Sequence, residues 1–328
     1  MYIEEVLYLE GPLKLQPAFK DYIWGGTRLK TDFNKHSDLA RVAESWELSC
    51  HKDGSSVVAN GEYSGKTLAQ YLETAGPAAL GTNCARFEYF PVLIKLIDAK
   101  DNLSVQVHPD NEYALRTEGE YGKTEMWYIV DCEPGAQLIY GFKNKITKDE
   151  FIRHINNNTL LEAVKMVPVK KGDVFFINSG TLHAIGKGIL IAEIQQNSNT
   201  TYRVFDYGRV GTDGKPRPLH ISKACDVTDL SPAVSFTSPE AQVHDGISIK
   251  LLSTCDYFTV HLIDLSASTD LRTDGRSFHH LLVIDGQCTL TSDQGNLSLI
   301  KGDSVFIPAD CGDYTLTGSC RIIKTQID

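Results

Sequence analysis

The sequence predicts a mainly β protein, built from two tandem β-barrels with a small helical insert. Short runs rich in Val, Ile, Phe and Tyr recur along its 328 residues, with Gly, Asp and Pro between them. Many short strands separated by turn residues are typical of a β-sandwich or β-barrel. The clearest runs are PVLIKLIDA, LSVQVHP, EMWYIVDC, DVFFINS, GILIAEIQQ, FTVHLIDL and HHLLVIDGQCTLTS.

A repeated unit supports two barrels rather than one. KKGDVFFINSGTLHAI (170–185) aligns without gaps to IKGDSVFIPADCGDYT (300–315). EMWYIVDCEPGAQL similarly resembles HHLLVIDGQCTLTS, which places Glu125 opposite His279. Two copies of one strand–turn–strand unit indicate that the architecture occurs twice.

The predicted boundary lies in a polar, proline-containing segment, DLSPAVSFTSPEAQVHDG (229–246). A chain of this length is long enough for two cores. We expect residues 1–235 to form a catalytic, metal-binding domain with the helical insert, and residues 236–328 to form a C-terminal barrel without a metal site.

Helical patterns are few and short. Residues 67–76 and 110–119 each allow at most about three turns. The longest pattern spans 147–165, where Thr147 is the predicted N-cap and Glu150 occupies the capping-box position. This segment is the predicted insert.

Composition restricts the classes of partner. The net charge of −10 and the absence of a dominant basic patch argue against nucleic acid. A few local Lys and Arg residues can still hold one small phosphorylated ligand. The eight cysteines form no CxxC pair, and the N-terminus lacks the basic and apolar regions of a signal peptide. We therefore expect free thiols, no membrane span and a cytoplasmic location, whereas the oligomeric state is left open.

Four possible metal ligands lie on strand-like segments: Gln106, His108, Glu125 and His183. Residues two apart on a strand share a face, so Gln106 and His108 can reach one ion. Two imidazoles and a carboxylate match a catalytic zinc or ferrous site. Each residue also has a structural interpretation: His108 could cap a turn before Pro109, and Glu125 could form an ion pair with a neighbouring lysine. Gln106 is the weakest ligand, because amides seldom bind zinc.

Longer motifs resemble a known family. The KGD…G-x-x-H pattern in a double barrel is similar to the cupin superfamily. Six segments, in order along the chain, resemble class I mannose-6-phosphate isomerases in their short bacterial form: PAFKDYIWGG, AESWELSCH, FPVLIKLIDAKDNLSVQVHPD, GKTEMWYIV, GTLHAIGKG and EIQQNSNTTYRVFDYGR. The resemblance implies tandem cupin (jelly-roll) barrels. It also implies one zinc ion, with other divalent metals possible, on Gln106, His108, Glu125 and His183. Larger class I members carry a longer helical insertion, most of which this chain lacks.

The resemblance further implies an activity and a set of site residues. The activity is the interconversion of mannose 6-phosphate and fructose 6-phosphate through a cis-enediolate. The implied catalytic arginine is Arg203, and the other implied pocket positions are Trp24, Lys95, Ser104, Lys123 and Glu193. Glu193, Lys123 and a zinc-bound water are all candidates for the general base.

Alternative interpretations stay open at this point. Arg203 could stabilise the enediolate, hold the phosphate, or only form an ion pair with Asp206 or Asp213. Trp24 could be a packing residue, and Lys95 a snorkelling lysine in an apolar strand. For the whole protein, the alternatives are a ferrous cupin oxygenase and a non-enzymatic cupin that binds a sugar phosphate.

Overall fold

The fold is given by a computed structural model that describes residues 11–211, 214–234, 239–244 and 246–328. It is mainly β, as predicted, and the strands form several antiparallel sheets. None of the helices in these ranges has the length and apolar character needed to cross a membrane.

The strands are numbered β1 to β21 and the α-helices α1 to α6 along the described chain. The strands are β1 Leu13–Gln16, β2 Ala18–Lys20, β3 Glu44–Leu48, β4 Val57–Val58, β5 Val92–Ala99, β6 Val105–Val107, β7 Glu125–Cys132, β8 Gln137–Phe142, β9 Val164–Pro168, β10 Val174–Ile177, β11 His183–Ala184, β12 Ile189–Gln196, β13 Tyr202–Phe205, β14 Gln242–His244, β15 Ile247–Thr254, β16 Thr259–Leu265, β17 Ser268–Thr273, β18 His279–Ser292, β19 Gly295–Ile300, β20 Ser304–Ile307 and β21 Gly312–Gln326. The helices are α1 Arg28–Asp32, α2 Leu68–Ala75, α3 Asn111–Thr117, α4 Lys148–Asn156, α5 Leu160–Ala163 and α6 Ile221–Val227, with 3-10 turns at Pro77–Ala79 and Thr82–Arg86.

Two sheets form the N-terminal barrel. In the described residues, one has six strands in the order β10-β7-β12-β5-β3-β2, and the other has five in the order β13-β6-β11-β8-β9. Apolar side chains from both sheets meet between them, including Ile97, Trp127, Leu138 and Ile191. The outer face of the five-stranded sheet is covered by α4 to α6, through a cluster that includes Phe151.

The six-stranded sheet is buried on both faces. Every residue of β5 and of β12 is buried, which explains why these strands are almost continuously apolar in sequence. Side chains alternate along each strand: Leu96 and Ala192 face the second barrel, whereas Ile97 and Ile191 face the interior of the first. Polar residues that share the parity of Ile97 and Ile191 therefore point into the first barrel.

The short helical predictions at 67–76 and 110–119 are confirmed by α2 and α3. The predicted single helix over 147–165 is wrong in its length. It begins as expected, with a capping box between Thr147 and Glu150, but α4 ends at Asn156. Asn158 adopts a positive φ of 59°, and α5 and then β9 follow. Asparagine is a poor helix former that tolerates the left-handed region, so the Asn156–Asn157–Asn158 run ends the helix.

The second barrel is built mainly from residues after 246. Its described sheet runs β14-β15-β16-β21-β18-β20-β1-β4, with β17 on β21 and β19 on β18. Strands β1 and β4, which come from the start of the described chain, complete this sheet: Leu13 pairs with Phe306, and Leu15 pairs with Val58. The predicted domain boundary between residues 235 and 236 lies outside the described residues.

The repeat seen in the sequence has the same strand register in both barrels. Glu125 pairs with Ile177 across β7 and β10, and His279 pairs with Ile307 across β18 and β20. The environments of the two equivalent positions differ, because His279 Nδ1 lies 2.9 Å from the hydroxyl of Tyr314. His279 is thus held by a neighbouring side chain within the second barrel.

The two barrels pack through one apolar cluster, and Phe306 lies fully buried in it, with its ring centroid 5.2 Å from that of Phe278 and 6.3 Å from that of Tyr71. We expect Phe306→Ala to lower the free energy of unfolding by about 3–5 kcal/mol, because it removes a large buried ring and leaves a cavity. Val243→Ala, at a side chain that is 75% exposed, should change it by less than about 0.5 kcal/mol. Denaturant unfolding of both variants measures the difference, and equal midpoints would contradict this account of the interface.

Candidate active site

The candidate site lies inside the first barrel, and strand alternation determines which side chains reach it. Val105 and Val107 of β6 face the outer cluster, so Gln106 between them faces the interior. The same alternation turns His183 inward between Leu182 and Ala184. Neighbouring strands bring these positions together, because Gln106 pairs with both His183 and Arg203.

Three predicted ligands converge at the centre of this interior. His183 Nε2 lies 3.4 Å and His108 Nε2 lies 3.9 Å from the Oε1 atom of Glu125. The possible ligand atoms of the three residues all lie within 4.8 Å of one another, and all three side chains are buried. Within the described residues, no other such group of His, Cys, Asp or Glu occurs.

The orientation of both imidazoles is fixed by backbone carbonyls. His108 Nδ1 lies 2.8 Å from the carbonyl of Thr200, and His183 Nδ1 lies 2.8 Å from that of Thr181. A carbonyl oxygen only accepts hydrogen bonds, so each Nδ1 carries the proton and each Nε2 presents a lone pair to Glu125. Histidines that bind metals are held in this way by a partner on the second ring nitrogen.

The resulting cluster fits a bound cation. Glu125 Oε1 and His183 Nε2 are buried, and neither has a hydrogen-bond partner in the part of the chain that the structure describes. When Glu125 is ionised, its oxygen and the Nε2 lone pair are two acceptors that repel each other, and a cation between them removes the repulsion. Two imidazole nitrogens and a carboxylate suit zinc or another divalent transition metal. Gln106, on the adjacent strand, supplies an amide oxygen within the same interior.

Two lysines balance the carboxylates around this cluster. Lys123 Nζ lies 2.7 Å from Glu125 Oε2, 3.2 Å from His108 Nε2 and 3.8 Å from Glu193 Oε1. Lys95 Nζ lies 3.1 Å from Glu193 Oε2 and 3.7 Å from Glu44. The barrel interior thus contains an alternating network of positive and negative groups.

The buried carboxylates have shifted pKa values of opposite direction. Burial raises the pKa of Glu125, to about 8, against the opposing effect of Lys123. Burial also acts to raise the pKa of Glu193, but Lys123 and Lys95 outweigh it and lower that pKa. Glu193 is therefore the carboxylate that stays ionised without a metal. The indole of Trp127 orients it by donating a hydrogen bond of 3.0 Å to Oε1.

An open cavity of about 280 Å³ leads to this network. Seven of the ten predicted site residues line it, namely Trp24, Lys95, Ser104, Gln106, Lys123, Glu193 and Arg203. The other three, His108, Glu125 and His183, are buried and do not line the cavity. The volume fits one small molecule. A larger cavity of about 600 Å³, beside Tyr89 and Tyr121, lies elsewhere and contains none of the ten residues.

The contacts of Lys95, His108 and Asp206 bear on the alternative interpretations of the site residues. Lys95 does not snorkel to solvent, since it lies in a buried ion-pair network. His108 is fixed through Nδ1 and has its other ring nitrogen directed at the cluster. Asp206 forms its ion pairs with Arg209 and Arg217. Asp213, the other proposed partner of Arg203, lies outside the described residues.

Several residues of the site were not predicted from the sequence. Trp127, Glu44 and Arg217 contact or line it, and the carbonyls of Thr181 and Thr200 hold the imidazoles. Trp127 and Glu44 lie in quoted motifs and have the inward parity of their strands, so that parity was an available signal. Arg217 lies in a loop, where no periodicity indicates its direction.

Comparison with known proteins places this geometry in a family. The profile of the phosphomannose isomerase type I catalytic domain matches residues 13–129, and that of the mannose-6-phosphate isomerase cupin domain matches residues 248–327. Mannose-6-phosphate isomerase ManA of Bacillus subtilis is 40% identical over 319 residues, which cover 96% of this chain and 99% of ManA. The chain belongs to the type I mannose-6-phosphate isomerase family. The resemblance predicted from the sequence is thereby confirmed.

Other members of the mannose-6-phosphate isomerase family are similar to this chain in sequence or in fold. The Streptococcus mutans mannose-6-phosphate isomerase is 38% identical and covers 96% of this chain and 98% of its own length. The crystal structure of the Bacillus subtilis mannose 6-phosphate isomerase superposes with a TM-score of 0.90 at 38% identity, covering 97% of this chain and 100% of that one. Phosphomannose isomerase from Salmonella typhimurium, at 18% identity and a TM-score of 0.77, shares the fold.

The cluster predicts that metal binding depends on His183. We expect His183→Ala to weaken metal affinity by more than about 100-fold, since losing a ligand should cost more than losing the partner of a ligand. Element analysis of the purified protein, together with metal titration, measures this effect. The control is His36→Ala, at an exposed histidine outside the barrel interior. Wild-type metal content in His183→Ala would show that His183 is not a ligand.

Proposed function

We propose that this chain interconverts mannose 6-phosphate and fructose 6-phosphate, with Gln106, His108, Glu125 and His183 as ligands of one zinc ion. The observation that carries the proposal is the convergence of the Nε2 atoms of His108 and His183 on the buried carboxylate of Glu125. Glu193, whose pKa is lowered, lines the adjacent cavity, which is large enough for a sugar. Full-length similarity to mannose-6-phosphate isomerases supports the same reaction.

A divalent cation held by these residues would supply Lewis-acid stabilisation of the negative charge that develops on the substrate oxygens. Zinc is our first choice, because nitrogen and carboxylate ligands with one open position are typical of catalytic zinc. Manganese, iron and cobalt are compatible with the same donors, and reconstitution with single metals distinguishes them.

Glu193 is the best supported proton carrier. Isomerisation removes the proton from C2 of the open-chain aldose and returns it to C1, while a proton passes from O2 to O1. A base must be ionised to accept the first proton, and Glu193 is the cavity-lining carboxylate whose pKa is lowered. Lys123 lies 2.7 Å from Glu125 Oε2 and 3.8 Å from Glu193 Oε1, which favours a role as a hydrogen-bond donor over that of the base.

The remaining predicted residues would bind and orient the substrate. Lys123 and Arg203 supply positive charge to the developing enediolate. Ser104 and Trp24 line the cavity, where a hydroxyl can bond sugar oxygens and an aromatic ring can cover an apolar face. Lys95 would act mainly by fixing Glu193, to which it is already bound.

The two alternatives from the sequence are less well supported. A ferrous oxygenase would use the same two histidines and carboxylate, but the relatives that cover nearly the whole chain are named isomerases. A binding protein without activity has no need for an oriented, ionised Glu193. A cytoplasmic location is consistent with the eight free cysteines.

Fructose 6-phosphate formation from mannose 6-phosphate tests the proposal directly. We expect the purified protein to catalyse the reaction, to lose nearly all activity after chelation and to regain it when zinc or another single divalent metal is added. A coupled assay measures the product. Full activity after verified metal removal would contradict the proposal, and oxygen consumption without isomerisation would favour the oxygenase.

Replacing Glu193 distinguishes the base from the metal ligands. We expect Glu193→Gln to lower kcat by about 100- to 10,000-fold while the metal content stays normal, because the amide keeps the shape but cannot accept the proton. Glu162→Gln, at an exposed glutamate of α5, should behave as wild type. If Glu193→Gln retained wild-type kcat, the base would have to be sought elsewhere, with Lys123→Gln as the next variant.

A further inference from the structure

The positive groups that line the cavity differ in how well they are neutralised. Lys95 lies within 3.7 Å of two carboxylates, and Lys123 within 3.8 Å of two. Arg203 has no carboxylate within ion-pair distance among the described residues. Excess positive charge is therefore concentrated at Arg203 and its neighbours rather than at the lysines.

Arg203 belongs to a group of three arginines around one aspartate. Arg217 donates to both oxygens of Asp206, from Nε at 2.7 Å and from Nη2 at 2.5 Å. Arg209 bonds the same carboxylate. Asp206 is buried, so the fork of Arg217 is held in one orientation. Three positive charges against one negative charge leave this arginine group at +2, in a chain whose net charge is −10.

The arginine group lacks the counter-charge that it needs. Arg203 Nε is buried and has no hydrogen-bond partner among the described residues, whereas Nη1 donates to the carbonyl of Pro218. Burial lowers the pKa of Arg203, and the like charges of Arg217 and Arg209 act in the same direction. An anion bound at Arg217, close to Arg203, would reduce this repulsion.

We infer that Arg217, aligned by Asp206 and adjacent to Arg203, binds the phosphate group of the substrate. A phosphate monoester carries about −1.5 to −2 charges at neutral pH and presents three acceptor oxygens, which matches the charge of the arginine group. Arg217 lines the same cavity as Glu193 and Gln106, and its Nη1 is not used by Asp206. Arg217 is thereby a specificity-determining residue, and this role rests on the proposed sugar-phosphate substrate.

The position of Arg217 also suits a substrate with two different ends. Arg203 lies on β13, the edge strand of the five-stranded sheet, and Arg217 lies in the loop that follows it. Of the metal-ligand candidates, Gln106, Glu125 and His183 lie on strands of the two sheets, and His108 directly follows β6. An open-chain hexose 6-phosphate carries its reacting carbons and its phosphate at opposite ends. One end can lie at the cluster while the other reaches the sheet edge.

Binding of a hexitol 6-phosphate tests the inference without requiring catalysis, because this probe keeps the phosphate but has no carbonyl to isomerise. Calorimetric titration of the metal-loaded protein should show that Arg217→Gln weakens binding by about 10- to 100-fold, as expected for a lost charged hydrogen-bond donor. Arg217→Lys should recover part of the loss, because it restores the charge without the fork. The matched control is Arg276→Gln, which removes an exposed arginine–aspartate pair in the second barrel.

Kinetics on mannose 6-phosphate separate this inference from the proposed function. The expected result is a KM raised about 10- to 100-fold in Arg217→Gln, with kcat within a few-fold of wild type and normal metal content.

Wild-type KM and wild-type hexitol 6-phosphate binding in Arg217→Gln would overturn the inference while leaving the isomerase assignment intact. Conversely, a wild-type protein that binds the probe through Arg217 but does not isomerise mannose 6-phosphate would retain the phosphate site and exclude the proposed reaction. No measurable binding of the probe by the wild type would also overturn the inference.

Discussion

The buried interior that brings Glu125 to the Nε2 atoms of His108 and His183 is the constraint on which the rest of the site depends. Each imidazole donates its Nδ1–H to a backbone carbonyl. The Nε2 lone pairs and the Glu125 carboxylate therefore face one another. In water such groups would be solvated separately, but here they are fully enclosed. A cation bound there would make this arrangement favourable, and part of its binding free energy would stabilise the fold.

The six-stranded sheet makes this enclosure possible. Its outer face packs on the second barrel, so its strands need no polar residues for solvent, and the inner face can carry the charges that chemistry requires. The buried lysines and glutamates of that interior stabilise one another through ion pairs. Lys95 pairs with Glu44 and Glu193, and Lys123 pairs with Glu125. The second barrel thus acts as a support for the first. Its own copy of the strand pair places His279 against Tyr314 instead of a carboxylate.

Much of this arrangement follows from the sequence. The short apolar runs predicted the β architecture, and the KGD repeat predicted two barrels in matching register. Strand parity predicted the inward direction of Gln106, whereas β6 ends before His108, which parity therefore does not place. Family resemblance then singled out Arg203, Glu193 and Lys123. Residues with a local periodic signal were predictable in this way, and the capped helix starts were equally clear.

Other features depend on contacts between segments distant in sequence, and no local pattern encodes them. The pairing of β1 with β20 joins residues nearly 300 positions apart. The fork between Arg217 and Asp206 depends on the path of a loop, and the carbonyl of Thr200 reaches His108 across 92 residues. The helix break at Asn158 has a local signal, the run of three asparagines. The sequence alone does not tell whether this run or the capped helix start determines where the helix ends.

Anomalous diffraction from crystals of the metal-loaded protein is the most direct test of the central claim. The account predicts one strong peak per chain inside the first barrel, about 2.0–2.2 Å from His108 Nε2, His183 Nε2 and a Glu125 oxygen. An active protein whose crystals show no peak there, or whose metal lies on other residues, would contradict it.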